Sequence, residues 1–257
     1  MESANDVLFR AHMCGSIMPA ENPRVKFTDT HIKEMIKIFN AQVHHRYDEI
    51  KSKYLTKGNE REEDSITLLS RNTKILYRKN EGRLFNEYVT AIPDLFEGKS
   101  IQEADATTDV KTSWSKGTFD ESRVTKLNPI YMWQGVAQMW LTGAKKHTVA
   151  YNLVNGTFDN ITKEKYYLKN DYGDGYETNP SYIEKCKQIE INNIFDLEEF
   201  RKENRGFDFH NDLSDWHYDI HYSKRTHTKS FERNEADILR LAQRIKECRI
   251  YMNENLF

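Results

Sequence analysis

Asn86-Glu87-Tyr88-Val89-Thr90-Ala91-Ile92-Pro93-Asp94 and, beyond residues 95–108, Asp109-Val110-Lys111-Thr112-Ser113 are the stretches on which the fold turns. Pro93-Asp94 closes one expected strand and the Asp-x-Lys triplet lies on the next. Residues i and i+2 of a strand point to one face, so Asp109 and Lys111 project together while Val110 turns into the core. If the two strands pair as a hairpin, Asp94 approaches Asp109. Two hard oxygen ligands then converge as Mg²⁺ prefers, beside an ammonium able to orient water and offset charge on a phosphate. Acidic-x-Lys triplets also occur at Glu49-Ile50-Lys51 and Glu97-Gly98-Lys99. The first falls late in a helix before any Pro-Asp, and the second follows Asp94 too closely and carries a turn glycine. For Asp109 and Lys111 the competing reading is a pair of solvated strand charges.

Working outward, residues 74–78, 83–90 and 107–113 read as strands of a meander, separated by turns at Asn80-Glu81-Gly82 and around Gly98. Upstream, Thr28, Asp29 and Thr30 offer caps for a helix whose apolar stripe is Ile32, Met35, Ile36, Phe39, Val43, Tyr47 and Ile50. Gly58 interrupts, and a short acidic helix carries Glu62, Ile66 and Leu69. Downstream, Asn128-Pro129 opens a helix that Gly143 stops, with Trp133, Val136, Ala137, Trp140 and Leu141 buried and Tyr131, Gln134 and Gln138 on an adjacent face. Residues 147–154 alternate as a strand, and a second strand is expected around Trp216, Tyr218, Ile220 and Tyr222. A last helix opens at Asn234 with the stripe Ile238, Leu241, Ala242, Ile245, Cys248 and Met252. Helices before and after a central mixed β-sheet make the class α/β (α+β).

The 257 residues allow one large domain or two small ones, and a chain of this size buries roughly three quarters of its unfolded surface. One domain, 1–257, is the simpler reading, with an N-terminal helical region over 1–70, a core over 71–156 and a C-terminal extension with a helix over 157–257. Cys14, Cys186 and Cys248 form no CxxC pair, against a disulfide framework or zinc knuckle and for a reducing compartment. No apolar run is long enough to span a bilayer and no signal pattern is present, so a cytoplasmic location without membrane contact is expected. With 38 Lys and Arg against 40 Asp and Glu, a generally basic coat for nucleic acid is excluded, while a local basic groove is not.

Several segments in order resemble the phage-type exonucleases and viral recombinases, the lambda-exonuclease-like branch of the PD-(D/E)XK superfamily. Arg10-Ala11-His12 to Ile17-Met18 resembles that family's opening segment, and Lys57-Gly58 with Glu62 and Ser65 its Gly-x-x-x-Glu helix. Asn86 to Asp94 resembles the strand leading to the first aspartate. Asp109-Val110-Lys111-Thr112-Ser113-Trp114 with Thr118-Phe119 resembles the catalytic strand and trailing loop. Tyr131-Met132-Trp133-Gln134 resembles the glutamine helix, and Ala150-Tyr151-Asn152-Leu153-Val154 the next core strand. The chain departs from the family with His12 and Ala91, where Ser and Gly are frequent; neither departure removes a ligand.

The resemblance implies a restriction-endonuclease-like core in which Glu62, Asp94 and Asp109 hold Mg²⁺ or Mn²⁺. The Val110 carbonyl is a further ligand, Lys111 is the catalytic lysine and Gln134 arranges the site. It sets Arg10, Ser113, Trp114, Lys116 and Tyr131 against DNA. The implied activity is a metal-dependent deoxyribonuclease on double-stranded DNA, a 5′ to 3′ exonuclease of phage recombination. An endonuclease (nickase or end-processing enzyme) and a non-catalytic DNA-binding recombination component are the rivals. A homo-oligomeric ring threading DNA and a single-strand annealing protein as partner are implied by likeness alone.

Other features carry plainer alternatives. Glu62 lies in the acidic run 60–64, where a solvated face is the default and Glu63 an alternative ligand. Gln134 has Gln138 within reach one turn away. His217, Asp219 and His221 share one face of the strand expected there, but without a third ligand nearby a wet strand face is favoured over zinc. Residues 224–229, together with Arg71, Lys74, Arg78, Lys79 and Arg83, are basic enough to meet phosphates. Trp114 is placed to stack on a base or a frayed end.

Overall fold

The computed structural model describes residues 3–19, 24–47 and 53–256, without the side chains of residues 53–55 and 78. Its elements run β1 (Phe9–Arg10), α1 (Ala11–Ile17), α2 (Asp29–Val43), α3 (Lys53–Glu60), α4 (Glu62–Thr73), β2 (Arg78–Lys79), β3 (Leu84–Phe85), β4 (Val89–Ala91), β5 (Leu95–Gly98) and β6 (Ala104–Thr112). They continue with α5 (Lys116–Val124), α6 (Pro129–Thr142), β7 (Lys146–Asn152), α7 (Phe158–Lys169), α8 (Pro180–Asn193), α9 (Leu197–Glu203), β8 (Thr226–Glu232) and α10 (Glu235–Asn255).

The central sheet is mixed, in the order β2-β5-β6-β7-β8. β5 and β6 form an antiparallel hairpin, with Leu95 opposite Thr108, whereas the strand expected to close at Pro93-Asp94 pairs outside this sheet; β6 and β7 run parallel with Asp109 beside Val149. α5 and α6 make the crossover that a parallel pair requires. A smaller sheet, β1-β4-β3, flanks it. Val110 turns to one face and packs with Leu69 of α4, Leu95 and Ala150. On the other face Val149 and Tyr151 pack with Phe119 of α5, and α6 lies close enough for Gln134 to bond Asp109. The largest core joins α1, α2, α6 and α10 through Cys14, Met35, Val136 and Leu241.

Asn128 caps α6, accepting from Ile130 N at 2.9 Å ahead of Pro129, and Gly143 ends it at φ 76°. The last helix opens at Asn234 as expected and runs on to Asn255. Elsewhere the structure corrects the sequence reading. α2 ends at Val43. Tyr47 is exposed, so the stripe does not reach it, and Ile36 lies at the surface; Ile50 and the Glu49-Ile50-Lys51 triplet lie outside the described residues. Gly58 sits inside α3, and the break comes at Arg61. The strand expected over 74–78 shrinks to Arg78–Lys79 because Lys74 terminates α4 in the left-handed region, φ 62°. The strand expected over 83–90 is a hairpin, folded back by the Asn86 side chain accepting from Tyr88 N and Val89 N, both at 2.8 Å.

Residues 216–222 are not a strand: Asp219 Oδ1 accepts from both Trp216 Nε1 and Leu197 N, each at 2.9 Å, and curls the segment on itself. The strand beside β7 is β8, residues 226–232. Beyond β7, α7, α8 and α9 form a helical layer around Ile161, Ile194, Phe200 and Phe207. Asn155 fastens that layer to the end of β7, its Oδ1 accepting from Phe195 N at 2.7 Å and Asp196 N at 3.0 Å. Arg61 fastens it to α4 through Glu203 at 2.8 Å. Cys14, Cys186 and Cys248 are free and buried.

Candidate active site

Asp109 and Lys111 leave β6 on the side facing α6, as the strand period requires. The Lys111 ammonium lies 2.6 Å from Asp109 Oδ2, and Gln134 Nε2 donates to Asp109 Oδ1 at 2.7 Å. Gln134 Oε1 in turn accepts from Lys111 at 3.4 Å, so three side chains from two elements close a ring. The Tyr131 ring, one turn before Gln134, sits 4.7 Å from the ammonium and supports it by cation–π attraction. Asp94 reaches the same place from the turn ahead of β5, its Oδ2 accepting from Val110 N at 2.8 Å. Asp94 therefore precedes a strand rather than ending one.

The electrostatics are those of a crowded site. Burial, and then the neighbouring Asp109 charge, push the Asp94 carboxyl up to about 7. Burial works to lower the Lys111 pKa, but Asp109 and Asp94 overcome it and hold the ammonium above its ordinary value. Asp109 is 1% exposed, and among the described residues its Oδ2 is met only by the Lys111 ammonium, at 2.6 Å. A buried carboxylate oxygen left in that state beside a second carboxylate suits a hard divalent cation, which takes oxygen donors. On that test Asp94 and Asp109 fit the metal the sequence implied.

Glu62 is differently placed. It opens α4, where acidic side chains favour the helix N-terminus, and its charge acts on Asp94. Its side chain, however, pairs with Lys79 at 3.0 Å, and Glu63 pairs with the same lysine. Among the described residues no three His, Cys, Asp or Glu side chains gather at metal-binding distance, so the Glu62–Asp94–Asp109 trio is not closed. The histidines of 217–221 are not gathered either: His217 bonds the Asp215 carbonyl and His221 the Ser223 hydroxyl, each at 2.8 Å.

Two clefts are bordered by the residues that bond Asp109, one by Lys111 and the other by Gln134. One, of about 340 Å³, is lined by Lys111, Ser113, Trp114, Lys126, Tyr131 and Tyr151, among others, and so gathers three of the five residues the sequence set against DNA. Ser113 is buried and its N–H bonds the Asn152 carbonyl, while Trp114 and Tyr131 stand half-buried. The fourth, Lys116, is exposed on α5 and paired with Asp120. The fifth, Arg10, lines the second cleft, of about 180 Å³, with His12, Arg83, Thr90, Gln134 and Gln138. Gln134 lines the second cleft and accepts from Lys111, which lines the first.

Sequence reasoning placed Gln138 on this face without a role; it is 2% exposed and its Oε1 accepts nothing among the described residues. Of the basic candidates, Arg225 is buried against Asp196 at 3.0 Å, Arg71 stacks on Tyr222 at 3.6 Å, and the Arg78 side chain lies outside the described residues. Lys57 enters the sequence reading only through the segment before Glu62, yet it is 1% exposed and bonds the Trp114 carbonyl. Nothing in its sequence neighbourhood marks it as buried.

A hairpin carrying Asp94 and Asp-x-Lys, a parallel β6–β7 pair and a glutamine helix across the sheet face define a mixed α/β fold of PD-(D/E)XK type. No protein-family model matches the chain, and no curated protein matches it. Among solved structures it is similar to a phage-related exonuclease from Haemophilus somnus 129PT, with 18% identity and a TM-score of 0.68 over 98% of this chain and 96% of that one. It is also similar to an alkaline exonuclease, LHK-Exo, from Laribacter hongkongensis, with 12% identity and a TM-score of 0.57 over 98% and 93%. The same enzyme in complex with dAMP gives 13% and 0.58 over 98% and 93%. The likeness is one of fold, spanning nearly the whole of each chain.

Proposed function

We propose that the chain is a divalent-metal-dependent deoxyribonuclease of duplex DNA, an exonuclease working 5′ to 3′. The observation that carries this reading is the convergence of Asp94, Asp109, Lys111 and Gln134 in a fold shared with exonucleases. Asp94 and Asp109 would hold Mg²⁺ or Mn²⁺, with the Val110 carbonyl beside them and Glu62 joining once released from Lys79. The cation, when bound, acidifies water and draws charge from the phosphate. Lys111 would orient the attacking water and neutralise charge building on the phosphoryl oxygens, and Gln134 keeps Asp109 turned toward the pair. Trp114 and Tyr131 supply aromatic surface for a base, while Arg10 and Arg83 supply charge for the backbone in the second cleft.

End-labelled linear duplex and closed circular DNA, each incubated with Mg²⁺, test the reading. The wild type should degrade the linear form from its 5′ ends and spare the circle. Asp109→Asn and Lys111→Ala should each lose roughly 10³-fold in rate. No digestion by the wild type, or undiminished digestion by the variants, would overturn it; cleavage of the circle would make the enzyme an endonuclease.

A further inference from the structure

Lys57 is among the most deeply buried side chains of the protein, although it carries an ammonium. Its Nζ donates to the Trp114 carbonyl at 2.9 Å and lies 5.7 Å from the Trp114 ring and 5.5 Å from the Phe195 ring. Burial, with the Arg61 charge adding to it and the Glu164 charge opposing, pushes the ammonium down to about 7. A buried amine of this kind destabilises relative to an apolar side chain of the same volume. The location of its acceptor explains what it does. Ser113 N to Asn152 O is the sheet's last bond on this strand, and Ser115 is already the cap of α5. Trp114 sits between that bond and that cap, and it lines the 340 Å³ cleft with Lys111.

We infer that Lys57 is a positioning residue for DNA, holding the Trp114 wall of the cleft from behind and taking no part in the chemistry. Three segments meet at its amine: α3, the β6–α5 connection at Trp114, and Phe195 ahead of α9. The inference rests on reading that cleft as the DNA path.

Lys57→Met and Lys57→Gln in the full chain test it. Steady-state digestion of labelled duplex with Mg²⁺ gives kcat and KM, and fluorescence anisotropy in the Asp109→Asn background gives duplex affinity without turnover. In the Met variant, KM and Kd should rise roughly fivefold through loosened stacking, with kcat within about twofold and Tm equal or higher. The Gln variant, which keeps a donor, should recover some of the affinity. Unchanged KM and Kd, or a fall in kcat at unchanged KM, would overturn the inference. Should the Met variant fail to fold, the Gln variant decides by the same KM and Kd criteria. A wild type that binds but does not cut, with the Met variant binding more weakly, sinks the nuclease reading and leaves Lys57 in its role; a chain that neither binds nor cuts DNA sinks both.

Discussion

The sheet face and the helical layer each set a lysine against a buried carboxylate at nearly the same distance, 2.6 Å for Lys111–Asp109 and 2.7 Å for Lys165–Glu190, and to opposite ends. Glu190 is saturated: it accepts from Lys165, from His210 N at 2.7 Å, and from Asn211 N at 3.0 Å and Nδ2 at 2.5 Å. Burial works to raise its pKa, but those bonds overcome it and hold the carboxyl below its ordinary value. Asp109 has a buried oxygen that meets only the Lys111 ammonium among the described residues, and a second carboxylate presses on the same space. A carboxylate whose every lone pair is answered serves the fold; one left short beside a like charge serves a ligand.

The sharpest way to break this contrast is to neutralise each acid. Glu190→Gln leaves Lys165 buried without its countercharge and should cost about 3 kcal/mol, lowering Tm by roughly 9 °C, with kcat unchanged below the transition. Asp109→Asn removes a charge that Asp94 opposes, so its stability should stay within about 1 kcal/mol of wild type while digestion is lost. Equal thermal losses in calorimetry would mean that both pairs are structural.

The pH dependence should separate the regions by sign. Asp94 titrates near 7 in the folded chain against an ordinary value of 3.8, so the folded state holds the proton more tightly. That contribution is full below about 3.8 and is lost as pH rises toward 7 in chelator-treated protein. Glu190, held low, contributes stability that is full above its ordinary 4.5 and lost as pH falls through its folded value. In Tm against pH, Asp94→Asn should flatten the decline between pH 4 and 7, and Glu190→Gln the acid side. A wild-type slope retained by Asp94→Asn would show that its carboxyl is not strained.

The sheet face was legible in the sequence because its signals are local. Period two aims Asp109 and Lys111 together, and Asn128-Pro129 with Gly143 frames the helix that brings Gln134. Asn179-Pro180 carries the same cap pair and opens α8, with Asn179 accepting from Ser181 N, so some of the helical layer was readable too. What hid it is that its buried polar groups, Lys165, Glu190 and Asn193, break the apolar stripe by which a helix is recognised. Residues 216–222 misled for the converse reason: aromatic alternation matched a strand until Asp219 took two donors. β8 was missed because every residue along it is half-buried or exposed, which leaves no apolar alternation. Glu62 could be numbered but not aimed, since its orientation depends on Lys79 from another element.

Two glycines extend the comparison to backbone approach. At Gly135, beside Gln134, an added Cβ would fall 2.7 Å from both His147 Cγ and Phe231 Cζ. Both rings are packed against each other, so α6 itself must move. Gly135→Ala should cost about 2 kcal/mol and, by displacing Gln134, slow digestion roughly tenfold. Gly156, at the exit from β7 into the helical layer, is only tight: a Cβ would meet Asn193 Oδ1 at 3.1 Å and its Cβ at 3.2 Å. Asn193 cannot simply back away, because its amide donates to Ile189 O at 3.0 Å and Glu164 at 3.3 Å. The backbone cannot either, with Gly156 N on Asn193 O at 2.7 Å and its carbonyl on Arg61 at 3.1 Å. Gly156→Ala should therefore cost about 1 kcal/mol and leave kcat where it was. If instead digestion falls in step with stability in this variant as in Gly135→Ala, the helical layer belongs to the site's machinery and the division drawn between the two lysine–carboxylate pairs fails.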